Sequence, residues 1–252
     1  MYRAGLVSIT YRQLSHREVI DLAVDAGLSC IEWGSDVHAP CHDTERLADI
    51  VSYSKESGIS CCSYGTYFRL GVNPLDELTD YICAARVLGT SILRIWAGNQ
   101  NYTDMTENER ATLIAEARRA AALAEREGVT LCLEWHVETM TNCLEGALAL
   151  IESVASPALR LYWQPSQYRP FEQNLTEAKR VAPYVVGLHV FQWELVPGKL
   201  IRYPLADGQQ VWMQYLSCFD GTQHALLEFV PNDDPTLLSR EATTLRSLIQ
   251  GA

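Results

Sequence analysis

No stretch of the chain approaches the roughly 18 consecutive apolar residues that a membrane-spanning helix needs, and no signal-peptide apolar core follows Met1-Tyr2-Arg3-Ala4-Gly5. A cytoplasmic protein with no membrane partner is the expectation. Basic residues are scarce: 20 Lys and Arg stand against 31 Asp and Glu, a formal charge of −11, and no local basic stripe offsets it. That balance repels a phosphate backbone, which argues against a nucleic-acid partner. Cysteines spaced for metal or redox work are lacking too. Cys30, Cys41, Cys61, Cys62, Cys83, Cys132, Cys143 and Cys218 include no C-x-x-C pair, so they are expected as free thiols packed as small apolar side chains. No Pro/Ser linker, charge block or sequence-level repeat divides the chain, and residues 1–252 read as one domain. What is present is 48% hydrophobic residues with 20% charged, enough for a substantial core.

Short runs rich in β-branched and aromatic residues alternate with longer stretches of helical period, the pattern of repeated strand-helix units around a parallel sheet. The expected strands are 4–9, 28–33, 59–65, 91–96, 129–135, 158–164, 185–190 and 224–229. Most are continuous apolar runs, as happens when helices cover one face and side chains fill the other. Eight units in 252 residues is roughly 31 residues each. The expected fold is α/β: a single (β/α)₈ TIM barrel with its active site at the C-terminal ends of the strands.

The helices carry their own punctuation. Ser15-x-x-Glu18, Thr106-x-x-Glu109, Asn142-x-x-Glu145 and Asn174-x-x-Glu177 each have the form of a capping box, which satisfies the orphan N–H groups of a first turn. Gly27, Gly58, Gly89 and Gly128 fall between helical runs and strands, where a left-handed cap favours glycine. Within 106–128, Leu113, Ile114, Ala117, Ala120, Ala121 and Ala124 repeat at helical spacing and predict one buried stripe.

In such a barrel the informative residues are polar ones where an apolar strand finishes. Strand two ends Ile31-Glu32-Trp33, strand five Leu133-Glu134-Trp135-His136, strand six Trp163-Gln164, strand seven Leu188-His189-Val190 and strand eight Leu227-Glu228-Phe229. A carboxylate in an apolar strand is costly to bury unless it is paired, hydrogen-bonded or bound to a metal. Taken singly, Glu134 and Glu228 are satisfied by an internal arginine, and Arg94 also lies in a strand. Four polar residues at matched positions on consecutive strands, Glu134, Gln164, His189 and Glu228, favour a divalent cation instead.

Over nearly its whole length the sequence resembles the xylose isomerase-like superfamily of TIM barrels, in particular its sugar isomerase and epimerase branch. The resemblance is carried by Leu133-Glu134-Trp135-His136-Val137-Glu138-Thr139-Met140-Thr141-Asn142, which is similar to the family's strand-five Glu/His motif. His189, Arg202-Tyr203-Pro204-Leu205-Ala206-Asp207-Gly208 and Glu228 carry the rest. It implies a divalent-metal-dependent sugar isomerase or epimerase that holds Mn²⁺, Mg²⁺, Co²⁺ or Zn²⁺ through Glu134, Gln164, His189 and Glu228. Strand six departs from the pattern, with Gln164 where the family has Asp and Gln167 where it has His. An amide oxygen brings no charge, so weak metal binding is expected.

The substrate so implied is a small keto-sugar or hydroxy-keto acid, with Glu134 and Glu228 as an acid/base pair working through an enediolate. His136 and Arg202 are expected at substrate oxygens, and Glu32 either at a sugar hydroxyl or in an internal hydrogen-bond network. Trp96, with Trp33, Tyr67, Trp163 and Trp193, either shields the sugar or closes the barrel top. His38 and His42 are expected in solvent, and Cys61 and Cys62, being adjacent in a strand, on opposite faces. A dehydratase of the inosose or dehydroshikimate kind would use the same glutamates and is the alternative enzyme. A catalytically inactive carbohydrate-binding protein is the alternative of another class. An endonuclease IV-like repair enzyme is disfavoured by six histidines and the acidic balance. A homo-oligomer is compatible with the sequence and not required by it.

Overall fold

The computed structural model describes residues 2–220 and 224–251. Seven strands come first: β1 (Arg3–Val7), β2 (Cys30–Gly34), β3 (Ser60–Leu70), β4 (Ile92–Ala97), β5 (Thr130–Glu134), β6 (Leu159–Trp163) and β7 (Val185–Val190). An antiparallel hairpin follows, β8 (Gln192–Val196) and β9 (Lys199–Tyr203), and then β10 (His224–Leu227). The seven strands and β10 close a parallel barrel in the order β1-β10-β7-β6-β5-β4-β3-β2. Each expected strand overlaps one of these eight. The hairpin was not expected, although Pro197-Gly198 between two extended runs is a turn signal, and Gly198 sits at φ +76°.

Among the described residues eight α-helices surround the barrel: α1 (His16–Asp25), α2 (Thr44–Glu56), α3 (Glu77–Leu88), α4 (Glu107–Glu127), α5 (Leu144–Val154), α6 (Phe171–Val181), α7 (Gln209–Leu216) and α8 (Leu238–Gln250). Ser15 with Glu18 and Thr106 with Glu109 form the reciprocal capping boxes the sequence predicts. Two other predicted boxes are absent. Asn142 lies before α5 and accepts the Tyr102 N–H at 3.1 Å, while Cys143 takes the cap position without a side-chain bond. Asn174 is inside α6, where Pro170 precedes the first turn, and its amide holds the backbone of Ser166 and Arg169. In both cases the loop made better use of the amide than the helix end did. On α4 the predicted stripe is buried, with Ile114 at its edge. Among the described residues no helix is long and apolar enough to cross a membrane.

Most buried Leu, Ile and Ala side chains lie between the strands and the helices in one large cluster. Inside the barrel is a smaller cluster of Val7, Ile9, Cys30, Cys62, Cys132, Tyr162 and Leu226. Full burial of an aliphatic side chain is worth about 1.5–3 kcal/mol, so the outer layer carries most of the hydrophobic stabilisation. The barrel interior is thereby free to hold charges. Two glycines make room for large side chains there. A Cβ at Gly187 would stand 2.2 Å from Tyr162 Cζ, and one at Gly65 would stand 2.6 Å from Arg94 Nη2.

Candidate active site

Alternation along the strands decides what enters the barrel. Glu32 on β2, Arg94 and Trp96 on β4, Glu134 on β5, Tyr162 on β6 and His189 on β7 point inward, and Gln164 and Glu228 continue the inward set just beyond β6 and β10. The same alternation sends Trp33 outward over α2 and Trp163 outward against Tyr215 and Phe219, so neither faces a substrate. Cys62 is inside and Cys61 outside, as their adjacency requires.

Arg94 is the hub of the buried polar groups. Its Nε donates to Glu32 Oε1 at 2.8 Å and its Nη1 to Glu134 Oε2 at 2.5 Å. Below it, Tyr162 OH donates to Ser63 Oγ at 3.0 Å, and Ser63 Oγ to Glu32 Oε2. Above it, Trp96 Nε1 also donates to Glu134 Oε2, while Gln164 Nε2 donates to Glu134 Oε1 at 3.2 Å and to Trp135 O at 2.9 Å. Glu134 is thus held at both oxygens. Glu228 is not: among the described residues no hydrogen bond reaches its carboxylate, and His189 Nδ1 stands 3.4 Å from its Oε2. The loop after β5 is pinned back on the strand by Thr141 Oγ1 donating to Glu134 O and Thr139 Oγ1 donating to His136 O, each at 2.6 Å. That is what the polar run from Thr139 to Asn142 does for the motif.

Burial acts to raise the pKa of every carboxyl in this interior. At Glu32 the charges of Arg94 and His189, with the hydrogen bond of Ser63, outweigh it and bring the carboxyl down to about 2. At Glu134 Arg94 again outweighs burial, helped by His189 and His136, and the carboxyl lies well below the usual range. At Glu228 burial prevails, reinforced by the charge of Glu134, and the carboxyl is shifted upward. Burial lowers the His189 pKa, but Glu228 and Glu32 overcome it and push the imidazole up to about 10. A cation taking His189 as ligand therefore displaces a proton.

Glu134, His189 and Glu228 each offer a ligand atom, and these atoms all lie within 4.8 Å of one another. Both His189 nitrogens and Gln164 Oε1 are buried without a hydrogen-bond partner. Unpartnered buried polar atoms are rare and costly, and an imidazole left so between the carboxylates of Glu134 and Glu228 suits a divalent cation of the Mg²⁺, Mn²⁺ or Zn²⁺ type. The residues present fit a metal.

Over this floor opens a cavity of about 210 Å³, lined by Arg94, Trp96, Glu134, Trp135, His136, Gln164, Trp193 and Glu228 among others. Drug-sized ligands occupy roughly 300–1,000 Å³, so the space suits a small molecule. His136 is stacked on Trp96 with ring centroids 5.3 Å apart. Glu32 belongs to the internal network beneath the cavity and does not line it, because Arg94 lies above it. Arg202 is also outside the lining. It sits on β9, paired with Asp233 and lying 4.1 Å over the Phe229 ring. His38 is buried rather than solvated, within 3.1 Å of both Ser8 Oγ and Leu14 O, whereas His42 is exposed.

Three features lay beyond the sequence argument. Arg12 reaches the cavity mouth from the loop after β1, with Asp36 and Tyr67 as partners. Asn142, expected to cap a helix, lines the cavity instead. Phe229, directly after Glu228, has φ +58°, a conformation that a bulky residue rarely adopts. No pattern of residue types marks such positions in advance.

No curated protein matches the chain significantly in sequence. Among solved structures it is similar to the probable 3-DHS dehydratase AsbF from Bacillus anthracis, with TM-score 0.81, 18% identity, 98% of this chain and 99% of that one covered. It is also similar to an L-ribulose 3-epimerase, with TM-score 0.73, 17% identity, 99% and 94% covered, and to the IolI protein with a bound zinc atom, with TM-score 0.77, 15% identity, 98% of both chains covered. At such identities the likeness is one of fold. The sequence model of one family spans residues 20–217, and with the closed eight-stranded barrel it establishes that the chain belongs to the xylose isomerase-like TIM-barrel family.

Proposed function

We propose that the protein is a metal-assisted enzyme that moves the proton beside a carbonyl in a small keto-sugar or hydroxy-keto acid, an isomerase or epimerase. The observation that carries this reading is the floor of the cavity: two carboxylates, Glu134 and Glu228, flank His189 with ligand atoms within 4.8 Å, and Gln164, whose Nε2 donates to Glu134, keeps an unpartnered Oε1. Glu134, His189, Glu228 and Gln164 would hold the metal. When bound, it would polarise the substrate carbonyl and ease loss of the neighbouring proton. The chain supplies the rest. Arg94 and Trp96 hold Glu134 ionised and fixed. Glu228, with no hydrogen bond on its carboxylate, is free to take a proton from carbon and return it. His136 and Trp96 form a flat wall that orients the substrate, and Trp135, Trp193 and Phe229 keep water from the reacting carbon.

The unequal restraint of the two glutamates gives weight to a second reading. Inversion of a carbon needs a proton carrier on each face, whereas a dehydratase or an aldose-ketose isomerase can work with one. Glu134 is bound at both oxygens and Glu228 at neither, which suits the one-carrier reactions. The test is a panel of ketoses, hydroxypyruvate and dehydroshikimate incubated with the enzyme and Mn²⁺ in D₂O. Deuterium in recovered substrate or product supports proton abstraction, and the product names the reaction. No deuterium in any of them, with correctly folded protein, overturns the proposal.

A further inference from the structure

The charge of the cavity changes from floor to mouth. Among the described residues two arginines line it, Arg94 and Arg12. Arg94 is committed to the floor, where Glu32 and Glu134 accept its N–H groups. Arg12 stands at the mouth, held by three neighbours. Its Nε donates to Asp36 Oδ2 at 3.0 Å, its Nη1 to Ile9 O at 3.3 Å and its Nη2 to Tyr67 OH. A guanidinium carries five N–H donors, so each Nη nitrogen keeps one in reserve. Ile9 and Tyr67 line the cavity with Arg12, whereas Asp36 does not. The carboxylate therefore steadies the Nε edge from outside, and the Nη end stays at the lining. The Arg12 side chain is 42% exposed, which leaves it open to a ligand. Tyr67 in turn meets Trp96 edge-on with centroids 5.4 Å apart, and Trp96 Nε1 donates to Glu134. One continuous wall thus joins the mouth to the floor.

We propose that Arg12 is a specificity-determining residue, which receives an anionic group at the end of the substrate remote from the reacting carbonyl, so that an anionic keto-sugar is selected over the neutral one. The inference rests on the proton-transfer reading given above. With the carbonyl at the floor between Glu134 and Glu228, the far end of a small substrate meets the mouth. There an anion accepts from both Nη groups in a charge-assisted contact that a hydroxyl does not match. A formal charge of −11 on the whole chain repels such a ligand at a distance, so a cation at the mouth is what admits it. Arg69, outside the lining and 4.0 Å over the Trp96 ring, adds positive charge to the same wall.

Calorimetric titration of the full-length protein, supplied with Mn²⁺, tests this with D-fructose, D-fructuronate and D-fructose 6-phosphate, which differ only at carbon 6. At least one of the two anions is expected to bind about tenfold more tightly than D-fructose, and the tighter one identifies the anion as carboxylate or phosphate. Arg12→Met is expected to reduce that anion-to-fructose affinity ratio about tenfold. A purely structural role for Arg12 would move the affinities together and leave the ratio alone. Equal affinities for the three probes, binding of none of them, or a ratio unchanged in folded Arg12→Met overturns the inference. Failure of the proton-transfer reading is read separately, as absence of deuterium incorporation in D₂O whatever the calorimeter records.

Discussion

Replacing Arg94 by Met removes the guanidinium that Glu32 and Glu134 share, while keeping an unbranched side chain beneath the cavity. Arg94 is 2% exposed and its two partners no more than 5%, so water cannot take over the lost hydrogen bonds. Breaking a buried pair by deleting one partner costs about 3–5 kcal/mol. At about 2–4 °C per kcal/mol for a chain of this size, the melting temperature should fall by about 6–20 °C at pH 7. The pH dependence has a definite sign. In the native protein Glu32 is held at about 2 against an ordinary 4.5, so its contribution, about 3 kcal/mol, is complete above pH 4.5 and is lost as pH falls toward 2. In Arg94→Met both carboxyls lose the largest charge that opposes burial, with only His189 and weaker partners left to counter it, so both shift upward and acidification from pH 7 to pH 5 should relieve the variant while leaving the native protein nearly unaffected. Thermal melts followed by circular dichroism at the two pH values measure the gap, and Glu32→Gln/Arg94→Met should recover part of it. A variant melting within about 2 °C of the native protein at pH 7, or a gap that fails to narrow at pH 5, would refute this account of the interior.

Gln164→Asp places a second negative charge beside Glu134, so it should lower the melting temperature in chelator and strengthen Mn²⁺ binding by calorimetry; equal affinities for variant and native protein would remove Gln164 from the ligand set. Glu228→Gln should reduce deuterium exchange into substrate by about 10²- to 10⁴-fold in folded protein, and unaltered exchange would exclude it as proton carrier. Glu134→Gln should show a stability loss as well, since it strips Arg94 of a partner, and a variant as stable as the native protein would contradict the hydrogen bonds drawn to it. Gly187→Ala forces a Cβ to within 2.2 Å of the Tyr162 ring and should cost about 1–3 kcal/mol in urea denaturation, accompanied by loss of the Tyr162–Ser63 hydrogen bond; an unchanged midpoint would mean the ring can move aside.

The barrel was legible because each strand is a short apolar run set off by glycine or a capping residue, a signal local to the chain. The inward placement of Glu134, Gln164, His189 and Glu228 followed from strand-end polarity alone. The two-residue period settles two more positions: with Glu32 and Tyr162 pointing inward, Trp33 and Trp163 point outward. Arg94 was visible as a strand arginine, but its two partners stand 62 and 40 residues away in sequence, and no periodicity reveals which carboxylates a buried guanidinium will choose. Arg202 was misplaced for a related reason. The hairpin carries it to Asp233 and Phe229, and Phe229 is there because its backbone turns left-handed after Glu228.

The path from Tyr162 through Ser63, Glu32 and Arg94 to Glu134 also bears on how the barrel can be divided. A cut at the midpoint, between β4 and β5, would leave Arg94 on one fragment and both Glu134 and Tyr162 on the other. Neither piece would close its own set of buried polar groups, so each would carry an unmet desolvation cost until the two joined. A cut after α6 keeps all five residues in the first fragment. A division after α6 therefore leaves the Arg94 network whole, with His189 and Glu228 brought to it by the last two strand-helix units.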